Sequence, residues 1–215
     1  QIKKKKDLSL ITEIDVKKIL VKKLKFNAPM IKKLDDFVRN LLIYNKKRNI
    51  IAKSTEKYVW VRHILDSAQL TKFIDDKNCT GIADLGSGGG FPGIILAVYY
   101  QNYNFHVKLY EKSPTKSAFL LNITKKLGLN CKIICSDVNS IKIQSNHIVC
   151  RAFRKLPHIL NISRENCAKK HKIIIMKGKN AQEEINKASK MKNYAYRLEN
   201  SITDDNSKII ILNAE

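Results

Sequence analysis

The spacing of apolar positions changes about a third of the way along this chain. In the first part it is helical. Val16, Ile19, Leu20 and Val21 fall at helical spacing after Asp15, and Pro29 is expected to interrupt the helical pattern beyond them. Ile31, Leu34, Phe37, Val38, Leu41, Leu42 and Tyr44 then recur at threes and fours, which predicts an amphipathic helix. Lysines cover the opposite faces (Lys17, Lys18, Lys22, Lys23, Lys25, Lys32, Lys33), either as a solvated surface or as one that meets a polyanion. A polar break comes next at Tyr44–Ile51. A short helix is expected after Ser54, with Ser54 as its N-cap.

Beyond residue 80 short apolar runs alternate with amphipathic stretches. Strands are predicted at Gly81–Leu85, Phe105–Tyr110, Asn130–Cys135, His147–Cys150, His171–Met176 and Lys208–Leu212. Helices are predicted at Gly93–Tyr100, Thr115–Leu127, Pro157–Ala168 and Gln182–Met191, with a further strand at Asn193–Arg197. Such alternation implies an α/β fold with a mainly parallel, doubly wound sheet. The polar run Asn200–Ser207 turns the last two strands into an antiparallel hairpin. The expected division is a helical extension over residues 1–68, packed on an α/β domain over residues 69–215.

The densest chemistry lies at Asp84-Leu85-Gly86-Ser87-Gly88-Gly89-Gly90-Phe91-Pro92-Gly93. A strand, a glycine turn and a helix opened by Pro92 would seat a ligand against bare backbone at a strand's carboxyl end. A dinucleotide fingerprint fits poorly: counted from Gly86, Phe91 falls at the third glycine position. The order Asp84, Gly86, Gly88, Gly90 instead resembles the D-x-G-x-G-x-G pattern of class I methyltransferases, which bind S-adenosylmethionine. A carboxylate beneath a glycine loop suits that cationic ligand. Glu111 ends the next strand, 21 residues after Gly90, and is expected to accept the ribose hydroxyls. The loop Ser136-Asp137-Val138-Asn139 would flank the adenine, and Arg151 would stand over the transfer pocket.

His63, Asp66 and Ser67 are too close in sequence for a catalytic triad, in which the histidine lies between acid and nucleophile. His63 and Asp66 are expected instead as partners on one helical turn at the edge of the site. The five cysteines (Cys79, Cys131, Cys135, Cys150, Cys167) contain no C-x-x-C, so a reduced, cytoplasmic chain without a metal site is expected. No run of 18 apolar residues predicts a membrane span. Lys3–Lys6 lack the apolar core of a signal peptide, and the first residue, not Met, reads as a processed or trimmed end. Lys and Arg total 41 against 19 Asp and Glu, a formal charge of +22, which fits a nucleic-acid partner. Part of that lysine is also what AT-rich coding produces.

Four segments occur together in order: Val61-Arg62-His63-Ile64-Leu65-Asp66-Ser67, the glycine loop ending Phe91-Pro92-Gly93, Cys150-Arg151-Ala152-Phe153, and Met176-Lys177-Gly178. From about Leu34 onward the chain resembles the bacterial small-subunit rRNA guanine-N7 methyltransferases, also called the glucose-inhibited division protein B family. The resemblance implies a class I Rossmann-like methyltransferase, S-adenosylmethionine as cofactor, and methyl transfer to guanine N7 of 16S rRNA. It matches Gly86, Phe91, Val138, Asn139 and Arg151 to cofactor-contacting positions. The chain departs from the family at Asp137-Val138-Asn139, where Arg-Ala-Glu or similar is common. Arg151 and Lys177 are expected to position the target nucleotide, the N-terminal lysines to grip surrounding RNA, and the chain to act as a monomer. Three other readings stay open: a NAD-dependent oxidoreductase, a non-catalytic ribosome-assembly factor on the same fold, and a methyltransferase with another RNA acceptor.

Overall fold

The computed structural model describes residues 11–167, 170–188 and 195–214. Helix α1 (Glu13–Leu24) starts where Thr12 and Asp15 cap each other: Thr12 Oγ1 accepts from Asp15 N (3.2 Å), and Asp15 Oδ2 accepts from Thr12 N (3.1 Å). Its Val16, Leu20 and Leu24 are buried. Helix α2 (Ala28–Asn45) is capped by Asn27, whose side chain accepts from Met30 N (3.0 Å). Pro29 therefore does not interrupt a helix. It lies in the first turn of α2, where its missing N–H costs nothing.

A helical segment of mixed winding spans residues 53–73. It runs as a 3-10 turn (Lys53–Tyr58), a π turn (Trp60–Leu65), the short helix α3 (Asp66–Ala68) and a second 3-10 turn (Gln69–Phe73). Ser54 is not its cap. Ala52 holds that place, and its carbonyl accepts from Thr55 N (2.9 Å) and the Thr55 hydroxyl (2.7 Å). The division expected after residue 68 falls inside this segment.

The sheet is built from β1 (Ile82–Leu85), β2 (Val107–Tyr110), β3 (Cys131–Ile134), β4 (His147–Arg151), β5 (His171–Lys177), β6 (Ala195–Asn200) and β7 (Lys208–Ala214). Their spatial order is β3-β2-β1-β4-β5-β7-β6. The first five pair in parallel, and β7 runs antiparallel to both β5 and β6. This is the doubly wound sheet with a terminal hairpin that the alternation predicts. The helices between strands are α4 (Gly93–Tyr99), α5 (Pro114–Lys126), α6 (Leu156–Asn166) and α7 (Ala181–Ala188). The expected ends of α6 and α7 and the start of β6 (residues 168, 189–191 and 193–194), and Lys3–Lys6, lie outside the described residues.

Two apolar layers sandwich the sheet. On one side Leu20, Phe37, Leu41, Ile64 and Leu70 share a core with Ile94 and Val98 of α4, Phe119 of α5 and Leu109 of β2. On the other, Ile159 and Leu160 of α6 and Ile185 of α7 pack on Leu85, Ile148, Ile173 and Ile210. The N-terminal helices thus complete the core on the α4 face. The strand order reverses between β1 and β4, and their carboxyl ends open there, where such sheets take ligands.

Candidate active site

A cavity of about 610 Å³ occupies that point. The glycine loop forms its floor. A side chain at Gly88 would meet nothing nearer than the Gly86 carbonyl at 3.8 Å, so bare backbone faces open space, and the φ of +54° there favours glycine. A Cβ at Gly86 would lie 2.3 Å from the Phe153 ring, which packs across the loop. Glu111, at the end of β2, accepts from Gly88 N (2.9 Å) through one oxygen and from Ser113 N (2.8 Å) through the other. It therefore braces both the loop and the start of α5. A carboxylate has about four lone-pair directions, so two stay open for a ligand's hydroxyls. Val138 supplies a buried apolar wall.

Gly86, Gly88, Phe91, Glu111, Val138, Arg151 and Lys177 line the cavity, and Asp84, Gly90 and Asn139 do not. Asp84 is fully buried beneath the loop, where Oδ2 accepts from Gly93 N (2.9 Å). Its Oδ1 has no partner among the described residues, and burial pushes its pKa up to about 7. Its work is to hold the start of α4 against the loop. A Cβ at Gly93 would sit 2.6 Å from Asp84 Oδ2 and 2.0 Å from Leu109. Gly90 turns toward Ile94 and Leu120. Asn139 is exposed, and its amide donates to Asp137 Oδ1 (2.8 Å). Asp137 lines the cavity in its place.

Lys177 is also placed differently from expectation. Its ammonium donates to the Arg154 carbonyl (2.5 Å) and pairs with Glu184 (2.8 Å), so it braces the turn after β4. Arg151 has the stronger position. At the end of β4, it donates to the Arg62 carbonyl (2.8 Å) and to His63 Nδ1 (2.7 Å), and faces Asp66 at 3.6 Å. His63 and Asp66 are not each other's partners; they meet through Arg151. Burial and the neighbouring Arg151 and Arg62 hold His63 down to about 3, while burial raises Asp66. Phe91 lies under both the His63 ring (4.8 Å, stacked) and the Arg151 guanidinium (5.1 Å). After Arg151 the backbone strains, with Ala152 at φ +48°.

One whole wall is not foreseen by the sequence patterns. Ile50, Ile51, Thr55 and Arg62 line the cavity from the N-terminal side. Asn45, buried at the end of α2, folds the loop inward. Its Oδ1 accepts from Ile50 N (2.7 Å) and Ile51 N (2.9 Å), and its Nδ2 donates to Ile51 O (3.1 Å). The two isoleucines then cover Gly89, where a Cβ would lie 2.9 Å from Ile51. The one available signal was an apolar Ile50-Ile51 pair inside a polar break. Among the described residues no cluster of His, Cys, Asp and Glu could hold a metal, and no helix is long and apolar enough to cross a membrane.

Residues 30–208 match the family described as rRNA small subunit methyltransferase G. A ribosomal RNA small subunit methyltransferase G of Pelagibacter ubique is 36% identical over 181 residues, covering 82% of this chain and 84% of the relative. One from Rickettsia felis is 36% identical over 181 residues, covering 84% and 92%. Among solved structures, a SAM-dependent methyltransferase from Aquifex aeolicus superposes with a TM-score of 0.57 at 13% identity, covering 71% of this chain and 91% of that one. That likeness concerns the fold alone.

Proposed function

This chain belongs to the rRNA small subunit methyltransferase G family, and on that premise we propose that it moves a methyl group from S-adenosylmethionine to N7 of a guanine in small-subunit rRNA. The cofactor assignment removes the oxidoreductase reading. The observation that carries the proposal is a bare glycine cradle facing Glu111, in a cavity whose His and acids are already engaged. Gly88 opens onto the cavity, and Glu111 keeps two lone-pair directions for a diol. These features fit the cofactor's ribose and the chain that bears its sulfur.

When bound, S-adenosylmethionine supplies an electrophilic methyl group on a sulfonium. Guanine N7 is a bare acceptor with no proton to remove. The protein therefore needs no general base, and among the described residues His63 and Asp66 hold Arg151 while Glu111 braces the loop. Its contribution is alignment, which is worth several orders of magnitude in rate when reacting atoms are held near attack distance. We assign cofactor contact to Gly86, Gly88, Phe91, Glu111, Val138 and Arg151, and nucleotide positioning to Arg151 rather than Lys177, which is spent on Glu184. Arg62, Lys112, Lys116 and Lys208 line the cavity with no ion pair among the described residues; Lys208 donates to Asn200, and the other three are the cations we assign to the RNA phosphates. Of the N-terminal lysines, Lys17 is paired with Glu13 and Asp35, and Lys32 with Asp36. We place the reaction in the cytoplasm and assign it to the monomer.

The test is transfer of labelled methyl to small-subunit rRNA lacking its own guanine-N7 mark, offered naked and as assembled subunits. Label in one guanine, with strand cleavage by N7-specific chemistry, is the expected result. Cofactor binding with no transfer to either substrate would overturn it in favour of an assembly factor or another acceptor.

A further inference from the structure

We propose that His63 and Asp66 are positioning residues for Arg151, holding its guanidinium over the Phe91 ring so that its unused N–H groups face the acceptor nucleotide. The inference rests on the function proposed above.

A guanidinium carries five N–H donors in a fixed plane. Here one terminal nitrogen donates to the Arg62 carbonyl (2.8 Å) and faces Asp66 Oδ2 (3.6 Å), and the other donates to His63 Nδ1 (2.7 Å). All three acceptors come from five consecutive residues across the end of the π turn. Wide helical turns of this kind occur often at functional sites. The His63 ring and the guanidinium both lie on the face of Phe91, so three side chains form one layered wall of the cavity.

The ring's proton is assigned by its other neighbour. The Thr55 hydroxyl donates to the Ala52 carbonyl (2.7 Å), which uses its only hydrogen. The contact of 2.9 Å between Thr55 Oγ1 and His63 Nε2 must then be donated by Nε2–H. Nδ1 is left bare and accepts from Arg151. The charged groups around the ring are Arg62, Arg151 and, through Arg151, Asp66; two cations beside the imidazole keep it neutral. Asp66 is fixed in the same manner. Its Oδ1 accepts from the Thr203 hydroxyl (2.7 Å) and Gln69 Nε2 (3.0 Å), leaving Oδ2 toward Arg151. Gln69 Oε1 accepts in turn from Ile202 N (2.9 Å), so the clamp is anchored to the turn between β6 and β7.

The experiment compares His63→Asn, His63→Gln and His63→Leu for cofactor Kd, and for kcat and KM on unmethylated small-subunit rRNA. Asparagine keeps an acceptor near the Nδ1 position, glutamine reaches toward Thr55 instead, and leucine offers none. We expect His63→Leu and His63→Gln to lose about 100-fold in kcat, well beyond any change in cofactor Kd, and His63→Asn to recover most of that loss. In ¹⁵N-histidine NMR at neutral pH, His63 should appear as the neutral Nε2–H tautomer. Equal losses in all three variants, losses that track thermal stability, or an Nδ1–H or cationic ring would each overturn the inference. A wild-type protein that binds cofactor yet methylates no RNA would instead overturn the function it rests on.

Discussion

Replacing Arg151 by methionine should destabilise the protein in a way that depends on pH, because the substitution strands Asp66. The two side chains are 18% and 17% exposed and 3.6 Å apart. At an effective dielectric of about 20 their attraction is roughly 4 to 5 kcal/mol, and breaking a buried pair from one side typically costs about 3–5 kcal/mol. Thr203, Gln69 and Ser201 still hydrogen-bond Asp66 Oδ1, so we expect the lower end, about 3 kcal/mol at pH 8.5. Burial already raises the Asp66 pKa, and losing Arg151 raises it further. Between the unfolded value near 3.8 and that raised folded value, the native variant binds a proton the unfolded chain does not. Stability relative to wild type is therefore retained at low pH and falls as pH rises through the window. Urea denaturation from pH 5 to 8.5 measures this, with Asp66→Asn and the double variant closing a thermodynamic cycle. A cost equal at both ends of the range, or additive single substitutions, would refute the reasoning.

The glycine loop separates two kinds of glycine. Gly93→Ala places a Cβ against Leu109 and Asp84 and should cost about 3 kcal/mol in denaturation. Gly88→Ala meets open space, so it should cost only about 1 kcal/mol of backbone strain while weakening cofactor binding about tenfold or more by calorimetry. Ala152→Gly relieves the left-handed conformation at φ +48°, so stability should change by less than about 1 kcal/mol, and any fall in kcat would show that the strain aims Arg151. The buried neutral His63 has a folded pKa of about 3 against 6.5 unfolded, so its contribution to stability is full above pH 6.5 and is lost as pH falls toward 3; His63→Asn should flatten that acid limb of the stability curve. Neutralising Arg62, Lys112 and Lys116 together should reduce the slope of log K against log salt for single-stranded RNA by about 2, while an equal number of exposed lysines on α1 should change it less.

What could be read from the chain and what could not divide along a physical line. The sheet was legible because each strand is a local apolar run, alternation with helices makes the crossovers parallel, and the last pair closes as a hairpin. The cradle was legible because a backbone-lined seat demands several glycines within a few residues. The orientation of Asp84 was not legible because sequence places a carboxylate near a loop without saying which way it points; its bond to Gly93 N and the crowding there show that it faces the backbone. The ion pair of Lys177 was not legible because its partner Glu184 lies on the next helix, and a cation's availability depends on partners distant in sequence. The wall made by Ile50, Ile51 and Thr55, and the link from His63 to Arg151, were invisible for a related reason. It exists only because Asn45 folds a polar break inward and Arg151, 88 residues later, reaches back to His63. The chain before β1 is therefore part of the site. It covers Gly89 and holds Arg151, so shortening it should weaken the positioning role we assign to that arginine. The side of the cavity that we assign to the cofactor is written locally at β1 and β2. The side that we assign to the acceptor is written in contacts between the N-terminal helices and the end of β4.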